Sequence, residues 1–132
     1  MRKDRFDGEW VYRSFHNNPN IDVDFGELQF GKGILVLQTD DGIVQGSLGG
    51  PGWNLNLSGS FGQERHSNIR FQGTGVVSDE PWSYDYEGYL IAQWPHAIDQ
   101  RPAIVGSVIR TIEHSSGQSP AGYVASFVAI KI

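Results

Sequence analysis

The chain has 132 residues, 39% of them hydrophobic, a net charge of −5 and no cysteine. That length fits a single domain, 1–132, with a core of its own. The lack of cysteine excludes disulfides, thiolate catalysis and Cys-ligated zinc or iron–sulfur sites, and the acidic balance argues against nonspecific nucleic-acid binding and adhesion to anionic membrane.

Seventeen glycines alongside many Val, Ile, Tyr and Phe residues are the composition of a turn-rich β protein. The opening MRKDRFDGEW is charged and has no apolar stretch, so no signal peptide is expected. No run approaches the roughly 18 apolar residues that a membrane helix needs. The expectation is a cytoplasmic protein.

No amphipathic helix is visible, and turn signals recur along the whole chain. A first strand is predicted over Glu9–Phe15, ending in the loop HNNPNIDVDFG. The second covers Glu27–Thr39, with Gly31-Lys32-Gly33 read as either a bulge or a tight turn. Asp40-Asp41-Gly42 is a hairpin signal leading into Ile43–Leu48. Gly49-Gly50-Pro51-Gly52 then breaks the chain before Trp53–Phe61, where Trp53, Leu55 and Leu57 alternate with Asn54, Asn56 and Ser58.

Residues Gly62–Ser67 lead to the strand Asn68–Val77, and Ser78–Pro81 turns into Trp82–Trp94. A Pro-bounded loop, Pro95–Pro102, precedes Ala103–Glu113, and HSSGQSPAG delivers the last strand, Tyr123–Ile132. Short loops and the lack of a crossover helix rule out a parallel sheet. The predicted fold is all-β: one eight-stranded antiparallel up-and-down (meander) barrel, since closure removes the exposed edges. A full hairpin at Gly31–Gly33 would instead give nine strands and reverse every later orientation.

The order of these features, with Gly8-Glu9-Trp10 opening the first strand, resembles the calycin-type barrels, the group that includes avidins and lipocalins. The resemblance is one of fold and carries over no specific ligand, because the biotin-binding set of avidins and the later lipocalin signatures are not seen. It implies that Trp10 helps to plug a closed end, called the bottom here. Trp94 is expected beside it, with the opposite end as the mouth.

Alternating strand direction places the loops at 16–26, 49–52, 78–81 and 114–122 at that mouth. Trp53 begins a strand there, and Trp82, Tyr84 and Tyr86 share one face of another. They would either line a pocket for a planar or apolar molecule or simply fill the core. His16 and His114 stand at top strand ends with Asp22, Asp24 and Glu113 on the same rim, a set suited to acid–base work or an oxygen/nitrogen metal site, although its spacing is no recognised ligand motif.

Arg110 is the only charge in the apolar run VGSVIRTI, and the alternation there leaves its face undecided. Facing inward, it would need a carboxylate partner or a ligand anion. At the bottom, His96, Asp99 and Arg101 lie between two prolines and read most simply as solvated or paired loop residues. Gly73-x-Gly75 and the Gly-Gly-Pro-Gly loop are not phosphate loops, since no helix follows either one. No Gly-x-Ser-x-Gly elbow is present.

Two readings of function follow. One is a barrel that binds a small apolar or aromatic molecule through Trp53, Trp82, Tyr84, Tyr86, Arg110, His16 and His114, with no metal or cofactor. The other is a cofactor-independent enzyme (an isomerase, cyclase or lyase) working in the same cavity, with no catalytic residue assigned; a filled, purely structural barrel is the bland alternative. The seventh and eighth strands are apolar on both faces, which predicts a homo-oligomer built on them.

Overall fold

The computed structural model describes residues 4–62 and 68–132. Among these, eight antiparallel strands close in sequence order into an up-and-down barrel: β1 (Gly8–His16), β2 (Gln29–Asp40), β3 (Ile43–Gly50), β4 (Trp53–Phe61), β5 (Asn68–Val77), β6 (Glu80–Leu90), β7 (Ala103–Arg110) and β8 (Val124–Lys131). Closure comes from β1 pairing with β8, from Trp10 opposite Lys131 to His16 opposite Ala125. A short 3-10 turn, Phe25–Leu28, precedes β2. No helix among the described residues is long and apolar enough to cross a membrane.

Turn chemistry sets the strand ends. Asp41 and Gly42 (φ 50° and 83°) and Ser78 and Asp79 (φ 49° and 65°) make two-residue turns with both centres left-handed, which match the twist of the strands they join. The expected bottom loop at 62–67 lies, apart from Gly62, outside the described residues.

The Gly31-Lys32-Gly33 segment is not a hairpin, and β2 runs straight through it. Gly33 is small for another reason: a Cβ there would sit 2.3 Å from the Gly49 carbonyl oxygen and 3.3 Å from the Trp53 ring. The irregularity falls one residue earlier. Ser14 pairs with Gly31 and Phe15 with Gln29, leaving Phe30 as the extra residue of a bulge.

Period-two alternation fills the interior. Leu35, Leu37, Leu48, Leu55, Ile69, Ile104 and Val108 are buried in the body of the barrel, and Tyr12 stacks on Phe127 and Phe71 on Tyr86 at 5.5 and 4.7 Å between ring centres. At the bottom, the segment before β1 folds under the barrel. Phe6 packs against Phe61, Trp10 Nε1–H donates to the Phe6 carbonyl at 3.1 Å, and Asp7 accepts from Thr39 N–H and Oγ1–H. Trp10 is fully buried, as its place at the closed end implies.

Trp94 does not join it. Strand β6 stops at Leu90, where its pairing with β7 ends, and Trp94 stands 71% exposed in the following loop with its N–H bonded to Gln100. Strand β7 likewise ends at Arg110, three residues short of the expected Glu113.

Candidate functional site

At the top, the inward positions of β1, β2, β4, β6 and β7 enclose a cavity of about 210 Å³. Tyr12, Leu55 and Tyr86 form its floor, while Trp53, Trp82, Tyr84, Phe30, Arg110 and His114 surround the upper part. The bulge explains how Phe30 and Gly31, neighbours in one strand, both face this space: regular alternation would point one of them outward.

Arg110 faces inward and is 7% exposed. Its Nε–H donates to the Tyr84 hydroxyl and its Nη1–H to the Pro120 carbonyl, both at 3.1 Å. The rings of Phe30, Tyr84 and Tyr123 surround the guanidinium carbon at 5.4, 5.6 and 5.5 Å from their centres. These contacts are favourable for a cation but do not neutralise it. Among the described residues no carboxylate lies within ion-pair distance of Arg110; the Arg70–Glu87 pair lies on the outer face.

The Tyr84 hydroxyl lies 2.7 Å from His114 Nε2. Arginine can only donate, so the Tyr84 oxygen accepts from Arg110, and the direction of the Tyr84–His114 bond follows the imidazole tautomer. His114 Nδ1 bonds in turn to Ser115 Oγ at 2.9 Å, so both ring nitrogens have a hydroxyl partner. Burial, with the nearby Arg110 charge second, pushes the His114 pKa below the ordinary histidine value, against a smaller opposing pull from Glu80. The imidazole is therefore neutral at pH 7. Its ring stacks on Trp82 at 4.0 Å between centres and an interplanar angle of 14°.

The loop that carries His114 is held from outside. Ser115 and Ser116, both with φ near +57°, direct their N–H groups onto the Glu80 carboxylate at 3.1 and 3.0 Å. The His114–Ser119 bridge closes the turn. Deeper in the barrel, burial raises the pKa values of Tyr12 and Tyr86 well above the usual phenol range, so both stay protonated and act only as neutral hydrogen-bonding groups.

Six of the seven residues singled out from sequence therefore meet around one space: Trp53, Trp82, Tyr84, Tyr86, Arg110 and His114. His16 does not. Its Nδ1 bonds to the Tyr123 hydroxyl and its ring packs edge-on to Phe30, so it braces those two rings without lining the cavity. Nor do the rim carboxylates converge on the histidines: Asp22, Asp24 and Glu113 are exposed, and among the described residues no group of three His, Asp or Glu side chains is placed to hold a metal. The carboxylate that does approach His114 is Glu80.

Sequence reasoning missed Tyr12, Ser14, Phe30 and Tyr123. Counting by twos from the inward Trp10 reaches Tyr12 and Ser14, whereas nothing in the local pattern marks the bulge at Phe30.

A wider depression of about 450 Å³ lies on the outside of β4–β7. Its polar side chains satisfy one another, Arg70 with Glu87 at 2.8 Å and Gln72 with Asp85 at 3.1 Å, so no unmet charge there asks for a ligand. In the bottom loop His96, Asp99 and Arg101 are exposed, and Arg101 donates to the Lys131 carbonyl at 3.0 Å. Compared with protein-family models, curated proteins and solved structures, the chain matches none.

Proposed function

We propose that the protein is a calycin-like barrel that binds a small apolar or aromatic molecule in its upper cavity. The observation that carries this reading is the cavity itself: about 210 Å³ of unfilled space at one end of an otherwise packed interior, walled by aromatic rings. Protein interiors pack to crystal-like density, and filling such a space with one more large side chain would stabilise an empty barrel. A few convergent polar groups on an apolar wall are the usual construction of a small-molecule site.

Native mass spectrometry of the protein as purified tests this directly. A bound mass that is extractable as an aromatic or apolar compound, and is lost in Trp82→Ala, is the expected result. A clean apo mass, together with no binding in a screen of such compounds, would sink the proposal.

One observation favours a second reading, a cofactor-independent isomerase, cyclase or lyase. The Tyr84 hydroxyl and neutral His114 form a proton-transfer pair on the cavity wall, with Arg110 beside them to stabilise developing negative charge. Solvent deuterium entering a bound compound, and failing to enter it in His114→Gln, would favour the enzyme.

We also propose that β7 and β8 form a homo-oligomer interface, in keeping with a cytoplasmic protein. Their outward apolar residues oppose one another across the strands, Val105 with Val128 and Ile109 with Val124, and Val105, Ile109 and Val124 are 38–44% exposed in the single chain. A second copy turned about a two-fold axis would cover this uncharged strip with the same strip. Sedimentation at micromolar concentration should show the oligomer, and a monodisperse monomer would refute it.

A further inference from the structure

Resting on the binding reading above, the geometry points to a narrower ligand class: we infer that the cavity takes a planar monocarboxylate, its ring among Trp53, Trp82 and Tyr86 and its anionic group on Arg110. The argument begins with charge. Arg110 is buried inside the barrel, and a guanidinium stays protonated at any pH the fold survives. Burying a cation without a counter-charge is costly, and aromatic faces offset only part of that cost.

Donor geometry makes the same point independently. A guanidinium has five N–H donors, and two of them are used, by Tyr84 and Pro120. The remaining three have no protein acceptor among the described residues, and Arg110 lines the cavity. A carboxylate is the planar acceptor that matches adjacent guanidinium donors, two bonds at a time. The Glu80 carboxylate, at the start of β6, is already committed to the Ser115 and Ser116 amides on the outside.

Size and wall chemistry fix the rest of the ligand. At interior packing density about 210 Å³ holds roughly ten to twelve non-hydrogen atoms, enough for one or two fused rings with a short acid arm. Trp82 is braced by its stack on His114, and Tyr86 by its stack on Phe71. They offer flat, preorganised faces rather than a flexible aliphatic lining, which favours a ring over a long acyl chain.

The test uses three acids, each against its own primary amide: benzoate, trans-cinnamate and indole-3-carboxylate, titrated calorimetrically into the intact protein at pH 7.5. The amide keeps shape and ring but removes the charge. At least one acid should bind tenfold or more tightly than its amide, and Arg110→Met should abolish that preference by weakening the acid at least tenfold. Retained amide binding also shows that the variant's cavity is intact. Should Arg110→Met fail to fold, the acid–amide comparison on the unaltered protein still decides. Equal binding of acid and amide would overturn the carboxylate inference and leave the aromatic pocket standing. No binding by any of the six at millimolar concentration would overturn both.

Discussion

At the bottom of the barrel Trp10, Phe6 and Phe61 meet ring against ring, and the polar groups nearby are fully used: Trp10 Nε1–H on a carbonyl, Thr39 between Asp7 and Asp4. At the top the strands carry equally large rings, yet these stand around a space instead of closing it. Among the described residues, three of the four buried polar ones, Ser14, Arg110 and His114, are at this end. The same alternating strands thus produce a plug where the chain folds back under them and a cup where it does not. Apolar pattern alone does not separate the two; the placement of charge does.

The contrast breaks hardest at the plug. Trp10→Ala removes the largest fully buried side chain and strands the Phe6 carbonyl, so unfolding free energy should fall by about 3–5 kcal/mol, read from urea melts. A loss below about 1 kcal/mol would mean that the bottom is not the stabilising end. At the cup the sign should reverse. Arg110→Met takes away a buried cation that no carboxylate among the described residues balances, while Tyr84 keeps its bond to His114. The ligand-free protein should hold its stability or gain about 1 kcal/mol. A loss of several kcal/mol would identify Arg110 as a structural strut instead of a group held ready for a ligand.

How much of this contrast the sequence disclosed depended on whether the deciding interaction was local. The turn at Asp41-Gly42 was legible, and with it β3 to β5, whereas Ser78–Pro81 was read as one turn although Ser78 and Asp79 make it and β6 already begins at Glu80. The inward face of Trp82, Tyr84 and Tyr86 was legible too, because polar Ser83, Asp85 and Glu87 alternate with it. Arg110 was not, since Val and Ile occupy both faces of β7 and only closure against β8 fixes which face is inside. Trp94 was misplaced for a related reason. Its own segment continues to read as strand, but β7 begins at Ala103, whose carbonyl takes the Ile91 N–H, and leaves nothing for residues beyond Ile91 to pair with. Phe30 depends on a bulge whose only cause is the register between β1 and β2.

A smaller effect sharpens the comparison through pH. His114 has a folded-state pKa below the unfolded value of about 6.5, chiefly because its burial penalises the charged form. Below pH 6.5 the unfolded chain therefore binds the proton first. The stability contribution is complete above pH 6.5 and is lost as the pH falls through the lowered folded value. Melting temperatures compared at pH 7.5 and 5.5 should drop more for the unaltered protein than for His114→Gln. Equal drops would show that the ring at the mouth is hydrated rather than buried under Trp82.

The smallest expected effect concerns two tryptophans at opposite ends. Trp94 is mostly solvent-exposed and touches the fold through its backbone bond to Gln100, so Trp94→Ala removes little packing and spares that bond. The change in stability should stay within about 0.5 kcal/mol, as for other surface substitutions, and ligand affinity should not move. Trp82→Ala, with a ring stacked on His114 at the cavity wall, should lower affinity while costing the ligand-free fold far less than Trp10→Ala. If Trp94→Ala matched Trp82→Ala in its effect on binding, the mouth could not be the end that holds the ligand. The plugged end would then have to open, and the separation of plug from cup would fail.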